Sequence, residues 1–160
     1  MDHIFSPWRY AYVTSRKGDD GCVLCGIGAA APSSDEESLV VARGDQAFVV
    51  LNLYPYNSGH LMVVPYRHAS HLGDLDAAVL AEMGRLAARA EAVLVEVYRP
   101  DGVNLGMNLG KAAGAGIEDH LHLHVVPRWI ADTNFMTVAG ETRVLPEGLR
   151  ETWRKLRGRF

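Results

Sequence analysis

The chain has 160 residues, 48% of them apolar, and a formal net charge of −3. That length suits one domain with a real core, and the absence of overall basicity argues against nucleic acid as the main partner. Met1 to Trp8 show no basic stretch followed by an apolar one, and no apolar run approaches membrane-spanning length; a cytoplasmic protein without a membrane partner is expected.

Residues 1–21 form an arm whose aromatics, in Ser6-Pro7-Trp8-Arg9-Tyr10-Ala11-Tyr12, are expected to dock on the body. Cys22 and Cys25 follow as C-x-x-C, the only cysteines in the chain. Without a secretion signal the pair reads as metal-binding or redox rather than as a structural disulfide. Ala29 to Glu37 is small, polar and Pro-containing, and reads as an exposed loop. Leu39 to Arg43 and Gln46 to Leu53, split by Gly44-Asp45, predict a β-hairpin. After the Asn57-Ser58-Gly59 turn, His60 to Pro65 predicts a third strand, paired antiparallel because the turns are tight.

Asp74 or Asp76 can cap a long helix. Its apolar stripe runs through Leu75, Val79, Met83, Leu86, Ala90, Val93, Leu94 and Val97, and Pro100 stops it. Val103 to Asn108 predicts a fourth strand, Gly110 to Gly116 a Gly-rich loop, and His120 to Pro127 a fifth strand. Pro146 can occupy the first turn of a final helix striped by Leu149, Trp153 and Leu156. The expected fold is α+β: a mainly antiparallel five-stranded sheet, one long helix and a C-terminal helix, without repeats or a second domain.

Three histidines, His120, His122 and His124, alternate with apolar residues. On a strand they share one face, about 6.5–7 Å apart. Packing alone does not explain three groups whose charge changes near neutral pH. Either a metal site or histidine catalysis fits, with one ring as nucleophile or base. Pro127 cannot donate to a ladder, so it ends the strand or lies on an edge. Tetrahedral zinc needs four ligands, and two histidines from elsewhere would complete a site begun by Cys22 and Cys25. Redox use would want the C-x-x-C to open a helix in a βαβ context, which the surroundings do not show.

Other candidates are weaker singly. His60, at a strand start, and His68, in a loop, each read more simply as surface residues. Asn52 and Asn108 end strands and are either turn residues or hydrogen-bond partners of a sugar or phosphate. Gly110 to Gly116, with Lys111, could cradle phosphate oxygens through backbone N–H groups, although it is not a P-loop. Tyr54-Pro55-Tyr56 is either the wall of a base site or an aromatic turn.

Together these features resemble the histidine-triad (HIT) superfamily. His120-Leu-His122-Leu-His124-Val-Val matches its signature, Gly59-His60-Leu-Met-Val-Val-Pro65 matches its upstream strand, and Asn52 stands eight residues before His60. The resemblance covers about Cys22 to Arg128, as the core of a single HIT domain over 1–160 with 129–160 as C-terminal extension. Ser6-Pro-Trp-Arg, Leu51 to His60, Asn104 to Asn108 and Asp132-Thr-Asn-Phe135 resemble the bacterial diadenosine tetraphosphate phosphorylase branch.

The resemblance implies an enzyme acting on the α-phosphate of a dinucleoside polyphosphate through a covalent nucleotidyl-histidine. His122 would be the nucleophile, while His124 and His60 would donate to phosphate or bridging oxygens. Asn52 would hold ribose; Asn108, Lys111, Gly114 and Gly116 would hold phosphates. Cys22, Cys25, His68 and His120 would bind a structural zinc, with no organic cofactor. Gly116 departs from the family pattern, which often has Ser or Gln there; backbone amides replace that side chain, or substrate choice differs. A homodimer is expected, with inorganic phosphate (phosphorolysis to ADP and ATP) or water as acceptor. The alternatives are a hydrolase releasing AMP from adenylyl esters or amidates, a regulatory nucleotide binder, and a zinc hydrolase using all three triad histidines.

Overall fold

The computed structural model describes residues 21–132 and 147–160. The aromatic arm, Thr133 to Phe135 and Pro146 lie outside the described residues.

The sheet has five strands in the order β1-β2-β3-β5-β4, every neighbouring pair antiparallel. The strands are β1 Val40–Arg43, β2 Ala47–Leu51, β3 Leu61–Pro65, β4 Gly102–Gly106 and β5 Leu123–Arg128. All five residues of both β2 and β3 are buried, as expected of apolar runs in the middle of a covered sheet. Fully burying a side chain such as that of Phe48 contributes about 1.5–3 kcal/mol.

Chain order supplies α1 Val23–Ala29, the short α2 Asp35–Ser38, the long α3 Ala77–Tyr98 and α4 Leu149–Arg157. α3 buries Val79, Met83, Ala87, Ala90, Val93 and Leu94, close to the stripe the spacing predicts. Asp76 occupies its N-cap but makes no capping bond; the carboxylate instead accepts from Arg67 at 3.0 Å. Arg99, at φ 47°, turns the chain out of the helix just before Pro100. α4 docks through buried Trp153 and Leu156, with Trp153 Nε1 donating to the Val40 carbonyl at 2.8 Å.

Three expectations need correction. Residues 29–37 are not simply an exposed loop: a 3-10 turn at Pro32–Ser34 leads into α2, and Asp35 is buried. There it binds Arg43 at 2.7 Å, and the same guanidinium donates to the Gly28 carbonyl at 3.0 Å. The C-x-x-C does open a helix, since Cys22 is the N-cap of α1. Finally, β5 begins at Leu123, so His120 and His122 precede the strand. Pro127 sits in an internal strand, but β3 pairs with β5 only through Val125, so β5 has outrun that neighbour. Its carbonyl accepts from Asn57 Nδ2 at 2.8 Å instead.

Gly59 sets the entry to β3. Its φ of +83° lies in the left-handed region, and an added Cβ would stand 3.0 Å from Leu94 and 3.1 Å from Tyr98 on α3.

Candidate active site and metal centre

A cavity of about 290 Å³ opens beside the C-terminal end of β2 and the start of β5. His122, His124, Asn52, Asn108, Gly114 and Gly116 line one part of it. Val23, Leu24 and Ile27 of α1, with Leu39 and Val50, make another part apolar. The arrangement suits a ligand with a flat apolar portion and an anionic portion.

Hydrogen bonds set the tautomers of three histidines. His122 Nδ1 lies 2.9 Å from the His120 carbonyl, which can only accept, so Nδ1 carries the proton. The lone pair of His122 is therefore on Nε2. The Tyr56 amide donates to His60 Nδ1 at 3.1 Å, so the His60 proton is on Nε2 and is donated to His124 Nδ1 at 2.9 Å. That leaves His124 with its own N–H on Nε2. The rings of His122 and His124 meet edge to face, 4.9 Å between centroids.

Burial, then the neighbouring His124 and His122, pushes His60 down to about 3. Burial, then His122, pushes His124 down to about 4. Both rings are neutral near pH 7, as the relay of single N–H groups requires.

Cys22, Cys25, His68 and His120 form the one Cys/His group among the described residues that could hold a metal ion, their ligand atoms all within 4.8 Å of one another. His120 Nδ1 is 3.3 Å from Cys22 Sγ and 3.4 Å from Cys25 Sγ, and His68 Nδ1 is 3.2 Å from Cys25 Sγ. The edges of a tetrahedral Zn(S,N) site are about 3.3–3.8 Å, so the donor set fits. His120 Nε2 donates to the Pro65 carbonyl at 2.9 Å, which turns the lone pair on Nδ1 toward the sulfurs. Burial lowers the His120 pKa, favouring the neutral ligand form. The three triad histidines do not converge on one ion: His120 faces the cysteines while His122 and His124 stay on the cavity.

A family model described as HIT domain matches residues 33–129. The chain belongs to the HIT family. Among curated HIT relatives, the AP-4-A phosphorylase of Mycobacterium tuberculosis (strain CDC 1551 / Oshkosh) is 54% identical over 123 residues, covering 77% of this chain. This chain spans 63% of that relative's length. A bis(5'-adenosyl)-triphosphatase of Dictyostelium discoideum is 33% identical over 92 residues, covering 58% of this chain and 61% of the relative. Among solved structures, a Zn-bound histidine triad family protein from Mycobacterium smegmatis superposes with a TM-score of 0.69 at 29% identity, covering 88% of this chain and 94% of that one.

Within this HIT domain, two predicted site residues fall outside the cavity wall. His60 is fully buried and touches the cavity's lining residues, His124 among them, without lining it, and Lys111 is exposed beyond the lining. Sequence reasoning did not anticipate α1 as a cavity wall, nor Glu37 and Ser38 beside it. A helical reading of Cys22 to Ala29 would have found α1. It also took Asn57 for a plain turn residue, whereas Asn57 is buried and ties Pro127 to Asp132 Oδ2, the latter at 2.9 Å. The Arg128 guanidinium, donating from Nε at 2.6 Å, holds the Asp132 carboxyl well below the usual carboxylate range.

Proposed function

We propose that this HIT protein cleaves a dinucleoside polyphosphate at the α-phosphate by phosphorolysis. The observation that carries the reading is the His122 Nδ1–His120 carbonyl hydrogen bond of 2.9 Å, in a cavity that His122 shares with His124. It holds the basic Nε2 in one orientation, and the carbonyl can stabilise the positive charge that develops on the ring during attack.

In the first step the Nε2 lone pair of His122 forms a bond to the α-phosphorus. The bond from phosphorus to the bridging oxygen breaks, and the nucleoside polyphosphate leaves. His124 Nε2–H donates to the phosphate or leaving oxygens, with His60 acting through His124 rather than on the substrate. In the second step an oxygen of inorganic phosphate attacks, the phosphorus–nitrogen bond breaks, and a nucleoside diphosphate departs. With diadenosine tetraphosphate the products are ATP and then ADP. Asn52 is assigned to the ribose, and Asn108, Gly114 and Gly116 to the phosphates, on their shared wall. The 54% identity to the phosphorylase supports phosphate rather than water as acceptor.

The Cys22, Cys25, His68 and His120 group is assigned to zinc, which when bound clamps α1 to the segment before β5. A homodimer in the cytoplasm completes the reading. The outer edge of β4 is unpaired among the described residues, with Leu105 on it exposed, which suits strand pairing with a second copy. No helix of the described residues is long and apolar enough to cross a membrane.

The test is incubation with diadenosine tetraphosphate, with and without phosphate. Phosphate should accelerate turnover and change the product from AMP to ADP. Identical products at an unchanged rate would exclude phosphorolysis, and turnover retained in His122→Ala would exclude the nucleophile.

A further inference from the structure

The cavity has one wall whose chemistry the reaction leaves unused. Glu37 and Ser38 line the same cavity as the apolar Val23, Leu24, Ile27 and Leu39, which suit a nucleobase. Ser38 Oγ donates its proton to the Ser34 carbonyl at 2.7 Å, so toward a ligand it can only accept. A Glu37 carboxylate likewise only accepts. Its neighbours are committed elsewhere: Asp35 to Arg43 at 2.7 Å and Glu36 to Arg154 at 3.6 Å. Glu37 has no cationic partner among the described residues.

We infer that Glu37 is a specificity-determining residue that accepts a hydrogen bond from the exocyclic amino group of the base. The inference rests on the nucleotide reading of this cavity. Acceptors in a mainly apolar pocket reward a base edge that carries N–H donors and disfavour one that lacks them. The same negative charge opposes entry of phosphate at this end, so it also sets which way round the nucleotide lies. Glu37 is exposed, so the bond competes with water and its effect is moderate.

The experiment is a two-by-two comparison by calorimetry, independent of turnover. AMP and purine riboside 5′-monophosphate, the same nucleotide without the amino group, are titrated into the unmodified protein and into Glu37→Ala. The unmodified protein should bind AMP about five- to tenfold more tightly than the analogue. In Glu37→Ala the two should bind alike, through loss of AMP affinity alone. Equal weakening of both ligands, or no change in either, overturns the assignment and leaves the nucleotide reading standing. Failure of both nucleotides to bind the unmodified protein overturns that reading and this inference with it. An unchanged thermal midpoint in Glu37→Ala separates lost recognition from lost folding.

Discussion

His60 Nε2 lies 2.9 Å from His124 Nδ1, and the Tyr56 amide holds the other His60 nitrogen at 3.1 Å. This relay makes His60 a positioning residue: it fixes the tautomer of His124, which faces the cavity, without lining the cavity itself. His60→Gln should lower kcat about 10²-fold while leaving KM within about twofold, since loss of alignment costs the chemical step more than binding. Steady-state kinetics decides it, and a change confined to KM would contradict the relay.

The same two rings predict an acid sensitivity. His60 at about 3 and His124 at about 4 both lie below the ordinary 6.5. The unfolded chain therefore binds more protons than the folded one between those limits, and stability rises with pH across that window. The contribution is complete above 6.5 and is lost as pH falls toward the folded values. Urea midpoints should drop from about pH 7.5 to about pH 5, and His60→Phe should show a shallower drop. A midpoint that is flat with pH, or equally steep in the variant, would count against neutral His60 and His124 rings.

The metal centre carries its own prediction. Cys22→Ser removes one of four donors from a closed set, so metal content after purification should fall from about one ion per chain to near zero. The thermal midpoint should fall with it, because metal binding to such a set is folding free energy. A variant that keeps its metal would show that the ion is held elsewhere.

Arg43 joins the helix that carries Cys25 to the sheet. It binds buried Asp35 and donates to the carbonyls of Gly28 and Ile27 near the end of α1. Arg43→Ala strands the Asp35 carboxylate and should cost about 2–4 kcal/mol in denaturant unfolding. A loss below about 0.5 kcal/mol would mean that water reaches the carboxylate freely.

Much of the fold was legible because its determinants are local. Two turn signals and runs of β-branched residues specify β1 to β3, and a stripe at 3.6-residue spacing specifies α3. α1 and α2 were not legible. Small residues and a proline read as loop by local propensity, but the Asp35–Arg43 pair and burial of Leu24 overrule it. The candidate site divides in the same way. The residue types and spacings of Cys22, Cys25, His60 and the triad mark out the candidate site, yet spacing treats the three triad histidines as alike.

By itself, then, the sequence determined the sheet-forming segments, the long helix and the set of histidines and cysteines on which the chemistry depends, since these follow from side-chain type and period. The resemblance implied a separate role for each histidine, but only the tertiary structure set the ring orientations and tautomers on which those roles would depend. His120 faces the sulfurs because its Nε2 is held by the Pro65 carbonyl, 55 residues away. His122 presents a basic Nε2 because its Nδ1–H donates to the His120 carbonyl, and His124 keeps its N–H on Nε2 because its Nδ1 accepts from His60. A tautomer is set by whichever donor or acceptor lies within about 3 Å of each ring nitrogen, and that distance exists only once the chain has folded.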